Sequence, residues 1–263
     1  MNILITICGR AGSKGVKNKN TRIFLGYPLA VYSAAAAILF KRMRTNDRIN
    51  LCASSDSDTI LNTLRPYGIT CVKRPESLAH DDSPKLPAIR HALQHMEAIE
   101  DIRYDFIIDL DITAPLRKVS DIENALCILQ NSPEADAVFS VVPARRNPYF
   151  NMVERKDGKM QKILGGAFTA RQQAPAVFDM NASIYCYKRQ SLLNKLQNSP
   201  LDGQFEIFLM RDTAVLDIDS EEDFALMEVL GRHFFTGEFR EMYDFVTQMH
   251  SAAQPDADFP TVP

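Results

Sequence analysis

The chain has 263 residues, 46% of them hydrophobic and 24% charged, with 11 Gly and 14 Pro; this suits a packed globular unit with an appendage and excludes disordered or collagen-like chains. Thirty Lys and Arg against 33 Asp and Glu leave a net charge of −3, so no global basic field exists to grip nucleic acid and no such partner is expected. No run approaches ~18 apolar residues, residues 1–8 are too short and lack the basic start of a secretory leader, and the five cysteines show no Cys-x-x-Cys spacing, which predicts a soluble cytoplasmic protein with reduced core thiols and no membrane partner.

Residues 1–8 read as a buried strand rich in Ile and Leu that ends at Gly9, followed by a Gly- and Lys-rich loop and a helix over 28–43. Alternation continues with a strand at 48–53, a helix at 58–67, a strand at 70–73, a helix at 85–99 and a strand at 104–110. Ser120 and Glu123 have capping-box spacing, predicting a helix over 121–130. Strands separated by helices imply an α/β fold, a mostly parallel sheet flanked by helices on both faces. After Val142 the pattern breaks into a segment punctuated by Pro143, Pro148 and Pro175 and carrying the turn dipeptide Asp157-Gly158, read as an inserted β-hairpin arm over 143–178. Strands at 182–187 and 213–218, a helix over 221–230 started by Ser220 and Asp223, and a last helix over 238–250 follow. The expected organisation is a main domain over 1–232 that includes the arm, then a C-terminal helix and a mobile tail from 251 within 233–263.

The segment with the clearest chemistry is Gly9-Arg-Ala-Gly-Ser-Lys-Gly-Val-Lys-Asn-Lys-Asn20. Its glycines let the backbone approach a ligand, and Arg10, Lys14, Lys17 and Lys19 add four positive charges without an acid among them, which suits a triphosphate at the end of a buried strand. The glycine intervals fit neither the dinucleotide fingerprint nor the P-loop. Two Asp-x-Asp pairs, Asp109 with Asp111 and Asp217 with Asp219, close predicted strands; residues two apart share a side, and hard oxygen donors favour Mg²⁺ or Mn²⁺. His91 and His95 lie four apart without a third ligand, so a polar helix face is the better reading.

Together with the loop from Gly9 to Asn20, the segments Arg74-Pro-Glu-Ser-Leu-Ala79, Thr113-Ala-Pro-Leu-Arg117, Arg171-Gln-Gln-Ala-Pro175, Asn181-Ala-Ser-Ile-Tyr185 and Asp217-Ile-Asp219 resemble the acylneuraminate cytidylyltransferases, in the family's order over about 230 residues. Asp109-Leu-Asp111, Pro143-Ala-Arg-Arg-Asn-Pro-Tyr-Phe150 and Phe178-Asp-Met-Asn-Ala-Ser-Ile184 are most similar to the bacterial branch that activates legionaminic acid. The resemblance implies a Rossmann-like nucleotidyltransferase fold and transfer of CMP from CTP to a nine-carbon 2-keto sugar acid, with release of pyrophosphate. It places Arg10, Gly12, Ser13, Lys14, Gly15, Lys19, Asn20 and Arg74 on the nucleotide, with Arg10, Lys14, Lys19 and Asp217 as the catalytic set. It gives Mg²⁺ to Asp217 and Asp219, and sets Asp111, Thr113, Arg171 and Gln172 against the sugar. Sialic acid enzymes of the family carry Gln-Pro-Thr-Ser-Pro-Leu-Arg where this chain has Asp111-Ile-Thr-Ala-Pro-Leu-Arg117, which argues against N-acetylneuraminate as the preferred sugar. The resemblance also implies a homodimer formed through the arm. A metal-dependent glycosyltransferase and a non-catalytic nucleotide-binding module are the rival readings.

Overall fold

The computed structural model describes residues 1–12, 14–166, 168 and 170–253, with Arg171 described by its backbone. Strand β1 (Asn2–Cys8) leads through the Gly-rich loop to the short β2 (Ile23–Phe24) and β3 (Tyr27–Pro28), then α1 (Leu29–Met43). Next come β4 (Arg48–Ser55), α2 (Asp58–Leu64), β5 (Thr70–Lys73), α3 (Lys85–Glu100), β6 (Phe106–Leu110), α4 (Val119–Asn131) and β7 (Ala137–Pro143). The arm holds β8 (Val153–Lys156) and β9 (Lys159–Lys162); β10 (Phe178–Lys188), α5 (Arg189–Asn194), β11 (Phe205–Leu209), α6 (Glu221–Phe235) and α7 (Arg240–Ala253) complete the chain.

Among the described residues one sheet has seven strands in the order β11-β7-β10-β6-β1-β4-β5. β1 pairs in parallel with β4 and β6, β4 with β5 and β7 with β11, while β10 runs antiparallel between β6 and β7. The mostly parallel sheet is therefore as expected. Ile3, Leu4, Ile5 and Ile7 of β1 are buried on both faces, each contributing about 1.5–3 kcal/mol of transfer free energy, which is why this strand reads as a continuous apolar run. α1 is Ala-rich for a packing reason: Ala30, Ala34, Ala35, Ala36 and Ala37 are buried, and short side chains let α2, α4 and α7 approach it closely. The chain leaves β1 for β4 on one side and later returns to β6 on the other. Loops after β1 and β6 therefore meet at a crevice outside the carboxyl ends of the strands, where open α/β sheets bind ligands.

Four details differ from the sequence expectations. The residues at 213–218 form no sheet strand; Asp212–Val215 is a 3-10 turn and the edge strand is β11, which precedes it. The cap of α4 is Lys118, whose backbone N–H donates to Asp121 at 2.8 Å, so Ser120 lies inside the helix; an Asp three residues after the cap took the place assigned to Glu123. Cys8, Cys52 and Cys186 are buried as expected, but Cys127 is exposed on α4. The division expected after residue 232 falls inside α6, and Phe239, Met242, Phe245 and Val246 around α7 share the core cluster of β1 and α1. Residues 251–253 of the expected tail are helical, and residues 254–263 lie outside the described set.

Candidate active site

A cavity of about 500 Å³ opens at the crevice, lined by the loop after β1, the loop after β6, Ala182 of β10 and the segment that leads into α6. Arg10, Lys14, Gly15, Lys19 and Asn20 of the basic loop line it together with Asp81 and with Asp111, Thr113, Ala182, Asp217 and Asp219. Gly12 adopts φ +75°, a conformation open to glycine at little cost. At Gly15 the reason is proximity: a Cβ would stand 1.8 Å from the Asp219 carbonyl oxygen, so glycine lets the basic loop and the acidic segment touch. Lys19 fastens the same junction, donating to the Ile218 carbonyl at 2.5 Å and pairing with Asp219 at 3.0 Å. Asn20, buried, donates to the Arg10 carbonyl at 3.1 Å and holds the loop in a closed curve.

The loop's anion-seeking groups meet carboxylates. Arg10 and Lys14 both pair with Asp81, and Asp56 accepts from the Ala11 N–H at 2.9 Å. A smaller hollow of about 160 Å³ adjoins the same loop, lined by residues that include Arg10, Gly12, Lys19, Asn20 and Ser57. Arg74 is buried at the end of β5, donating to the Ser54 carbonyl at 2.8 Å, and is not among the cavity-lining residues. Ser13 and the Arg171 side chain lie outside the described residues. Gln172 lines a separate hollow of about 370 Å³ within the arm, with Asn147 and Phe178, so one chain does not bring Gln172 to Asp111 and Thr113 at the cavity wall.

The two Asp-x-Asp pairs have different neighbours. Asp109 is fully buried and accepts from Thr6 Oγ1 at 2.6 Å, while Lys85 Nζ lies 2.7 Å from Asp109 and 2.6 Å from Asp111. Burial works against the Asp111 carboxylate, but the Lys85 ammonium and the Thr113 N–H outweigh it and hold its pKa below the usual range. Burial likewise opposes the Lys85 charge, and the two carboxylates overcome it. Asp217 shows the opposite balance: partial burial, then repulsion from Asp219 and Asp111, push its pKa up to about 6. Such crowding of hard oxygen donors suits a divalent cation. Among the described residues no group of three such side chains could hold a metal alone, whereas Mg²⁺ needs only one or two carboxylates when phosphate oxygens complete its shell. Asp217 and Asp219 fit that use. Burial and then Asp109 push the Cys8 thiol up to about 12, which disfavours its thiolate.

Lys85, Asp81 and Asp56 were absent from the sequence-derived site. Lys85 did carry a signal, since a cation at the first residue of α3 opposes the helix dipole and asks for a tertiary partner. Ala182, at φ +46° where the pairing of β10 with β7 shifts register between Met180 and Tyr185, carried none, yet it lines the cavity. His91 and His95 stack on α3 with ring centroids 6.3 Å apart.

The chain is similar to "Post-translational flagellin modification protein B" of Campylobacter coli, 42% identical over 87% of this chain and 94% of that protein. It is 41% identical to the "CMP-N,N'-diacetyllegionaminic acid synthase" of Campylobacter jejuni, over 87% of this chain and 94% of that one. Among solved structures, a CMP:2-keto-3-deoxy-manno-octonic acid synthetase complexed with CTP shares the fold at a TM-score of 0.62 and 14% identity, covering 88% of this chain and 98% of that one. The Cytidylyltransferase family model matches residues 4–250, and with that span and those identities the chain belongs to the cytidylyltransferase family.

Proposed function

We propose that this cytidylyltransferase moves CMP from CTP to a nine-carbon 2-keto sugar acid of the legionaminic type. The observation that carries this reading is the cavity's lining: a basic, Gly-rich loop suited to phosphates shares it with Asp111, Asp217 and Asp219, suited to a cation and a polyhydroxylated acceptor. The name of the Campylobacter jejuni relative supports the acceptor class. In the reaction the anomeric hydroxyl oxygen bonds to the α-phosphorus, the bond from that phosphorus to the oxygen bridging the β-phosphate breaks, pyrophosphate leaves with that oxygen, and the hydroxyl proton passes to solvent.

Arg10, Lys14 and Lys19, with the N–H groups of Gly12 and Gly15, would bind the triphosphate and offset charge that grows on the leaving pyrophosphate. Entry of CTP exchanges the Asp81 contacts of Arg10 and Lys14 for phosphate contacts. Mg²⁺ held by Asp217 and Asp219 would neutralise phosphate charge when bound. Lys19, tied to Asp219, keeps the loop and the acidic segment in register. Asp111 and Thr113 would meet the sugar.

A homodimer is part of the same proposal. It is supported by the arm, where Val153 and Met160 are 60% and 57% exposed, and by Gln172, which lines a hollow other than the cavity of its own chain. Free, buried thiols at Cys8, Cys52 and Cys186 fit a reducing, cytoplasmic setting. Pyrophosphate release measured over four nucleoside triphosphates and several nonulosonic acids tests the reading. CTP with N,N'-diacetyllegionaminic acid should give a higher kcat/KM than CTP with N-acetylneuraminic acid, because ionised Asp111 accepts hydrogen bonds and donates none. Preference for N-acetylneuraminic acid would overturn the sugar assignment, and tight CTP binding without turnover would favour a binding module.

A further inference from the structure

Lys85 has no part in the chemistry above, yet it sits beside an acidic residue of the cavity lining. Its α3 backbone position disfavours a cation, and its ammonium nevertheless crosses to the end of β6 and touches both Asp109 and Asp111. Asp109 faces only the interior, whereas Asp111 lines the cavity. Arg117, buried behind them, donates to the Asp111 and Ala114 carbonyls. Lys85 and Arg117 thus set two positive charges beside the Asp109 and Asp111 carboxylates. Lys85 itself is not among the lining residues, and its ammonium contacts one that is, Asp111.

The Asp111 carboxylate is fixed from two sides. Lys85 takes Oδ2, and the Thr113 hydroxyl and N–H reach Oδ1 at 3.2 and 3.3 Å. A carboxylate has about four acceptor positions, so capacity remains for a ligand in the cavity. A carboxylate repels phosphate, which the basic loop attracts, and the cation is assigned above to Asp217 and Asp219. The position left on Asp111 suits a hydrogen-bond donor, such as a hydroxyl or amide N–H group of an acylated sugar acid.

We propose that Lys85 is a positioning residue for the sugar acid: its ion pair holds Asp111 at the orientation in which the remaining acceptor position receives a hydroxyl or amide N–H of the sugar. This rests on the transfer reading above. The loop assigned to the nucleotide is built from other residues, so the effect of Lys85 falls on one substrate.

The test is steady-state kinetics of pyrophosphate release with CTP and N,N'-diacetyllegionaminic acid on the full chain. Lys85→Gln should raise the sugar KM about 10-fold while the CTP KM stays within about twofold, and Lys85→Arg should restore most of the loss. In an Asp111→Asn background, Lys85→Gln should add less than about twofold to the sugar KM, because the route through Asp111 is already cut. Should Lys85→Gln fold poorly, Lys85→Met alone, Asp111→Asn alone and the two combined read the same coupling. An unchanged sugar KM, an equal rise in both KM values, or additive effects of Lys85 and Asp111 would overturn the role of Lys85 alone. Wild-type protein that releases no pyrophosphate with any sugar acid would overturn the transfer reading and this inference with it.

Discussion

At Gly15 a single methyl group would collide with the Asp219 carbonyl, and backbone on both sides leaves no flexible atom to yield. Gly15→Ala is therefore expected to cost about 1–3 kcal/mol of stability and to separate the basic loop from Asp217 and Asp219. Urea unfolding and CTP-dependent pyrophosphate release would show both losses. Asp217→Asn should behave differently. It removes one carboxylate from a crowded set of three and preserves shape, so turnover should fall at least ~100-fold while the urea midpoint stays level or rises. Near-native rates for this variant at limiting Mg²⁺ would remove Asp217 from the metal site.

At the level of elements, Asp136, just ahead of β7, ties that strand to α5 and to the entry of β11. Its buried carboxylate accepts from Ser191 Oγ at 2.5 Å, from Lys195 Nζ at 2.8 Å and from the Gln204 N–H at 3.0 Å. Burial alone would raise its pKa, but these partners hold it below the ordinary aspartate value. A depressed folded-state pKa means that the stabilisation is present above about pH 4 and is lost as pH falls through the folded value. Asp136→Asn should therefore cost about 1–3 kcal/mol at pH 7. That deficit should shrink in urea titrations repeated below about pH 4. The Asp157-Gly158 turn shows how a local rule can suffice: both residues have positive φ, 49° and 77°, the two-residue geometry that suits a tight hairpin.

For the whole molecule the arm is the distinguishing feature. β8 and β9 pair with each other as a two-stranded ladder apart from the main sheet, and a lone hairpin is marginal in water. The C-terminal helix does not offer the arm its aromatic face, because Phe239 packs on Phe234 and Phe235, and Tyr243 on Tyr27 and Phe235. A second copy is the expected cover. Light scattering across a dilution series should give a dimer mass, and Val153→Lys with Met160→Lys should shift it toward monomer and lower activity together. Full activity from a wild-type monomer at micromolar concentration would reject the dimer and the sharing of Gln172 between sites.

The sequence by itself determined the parts governed by neighbours in the chain: the apolar run of β1, the glycines of the loop after it, the cap at Ser220 and the hairpin turn. These follow from local sterics and hydrophobic pattern, which act over a few residues. It also marked Asp111, Asp217 and Asp219 by their spacing, and all three line the cavity. Only the tertiary structure decided what each acid faces. Lys85 and Asp111 are 26 residues apart, and Lys19 and Asp219 are 200 apart; such pairs arise from strand order, which local pattern does not encode. The same holds for β11, whose place at the sheet edge depends on its pairing with β7, and for Gln172, which lines a hollow other than the cavity of its own chain.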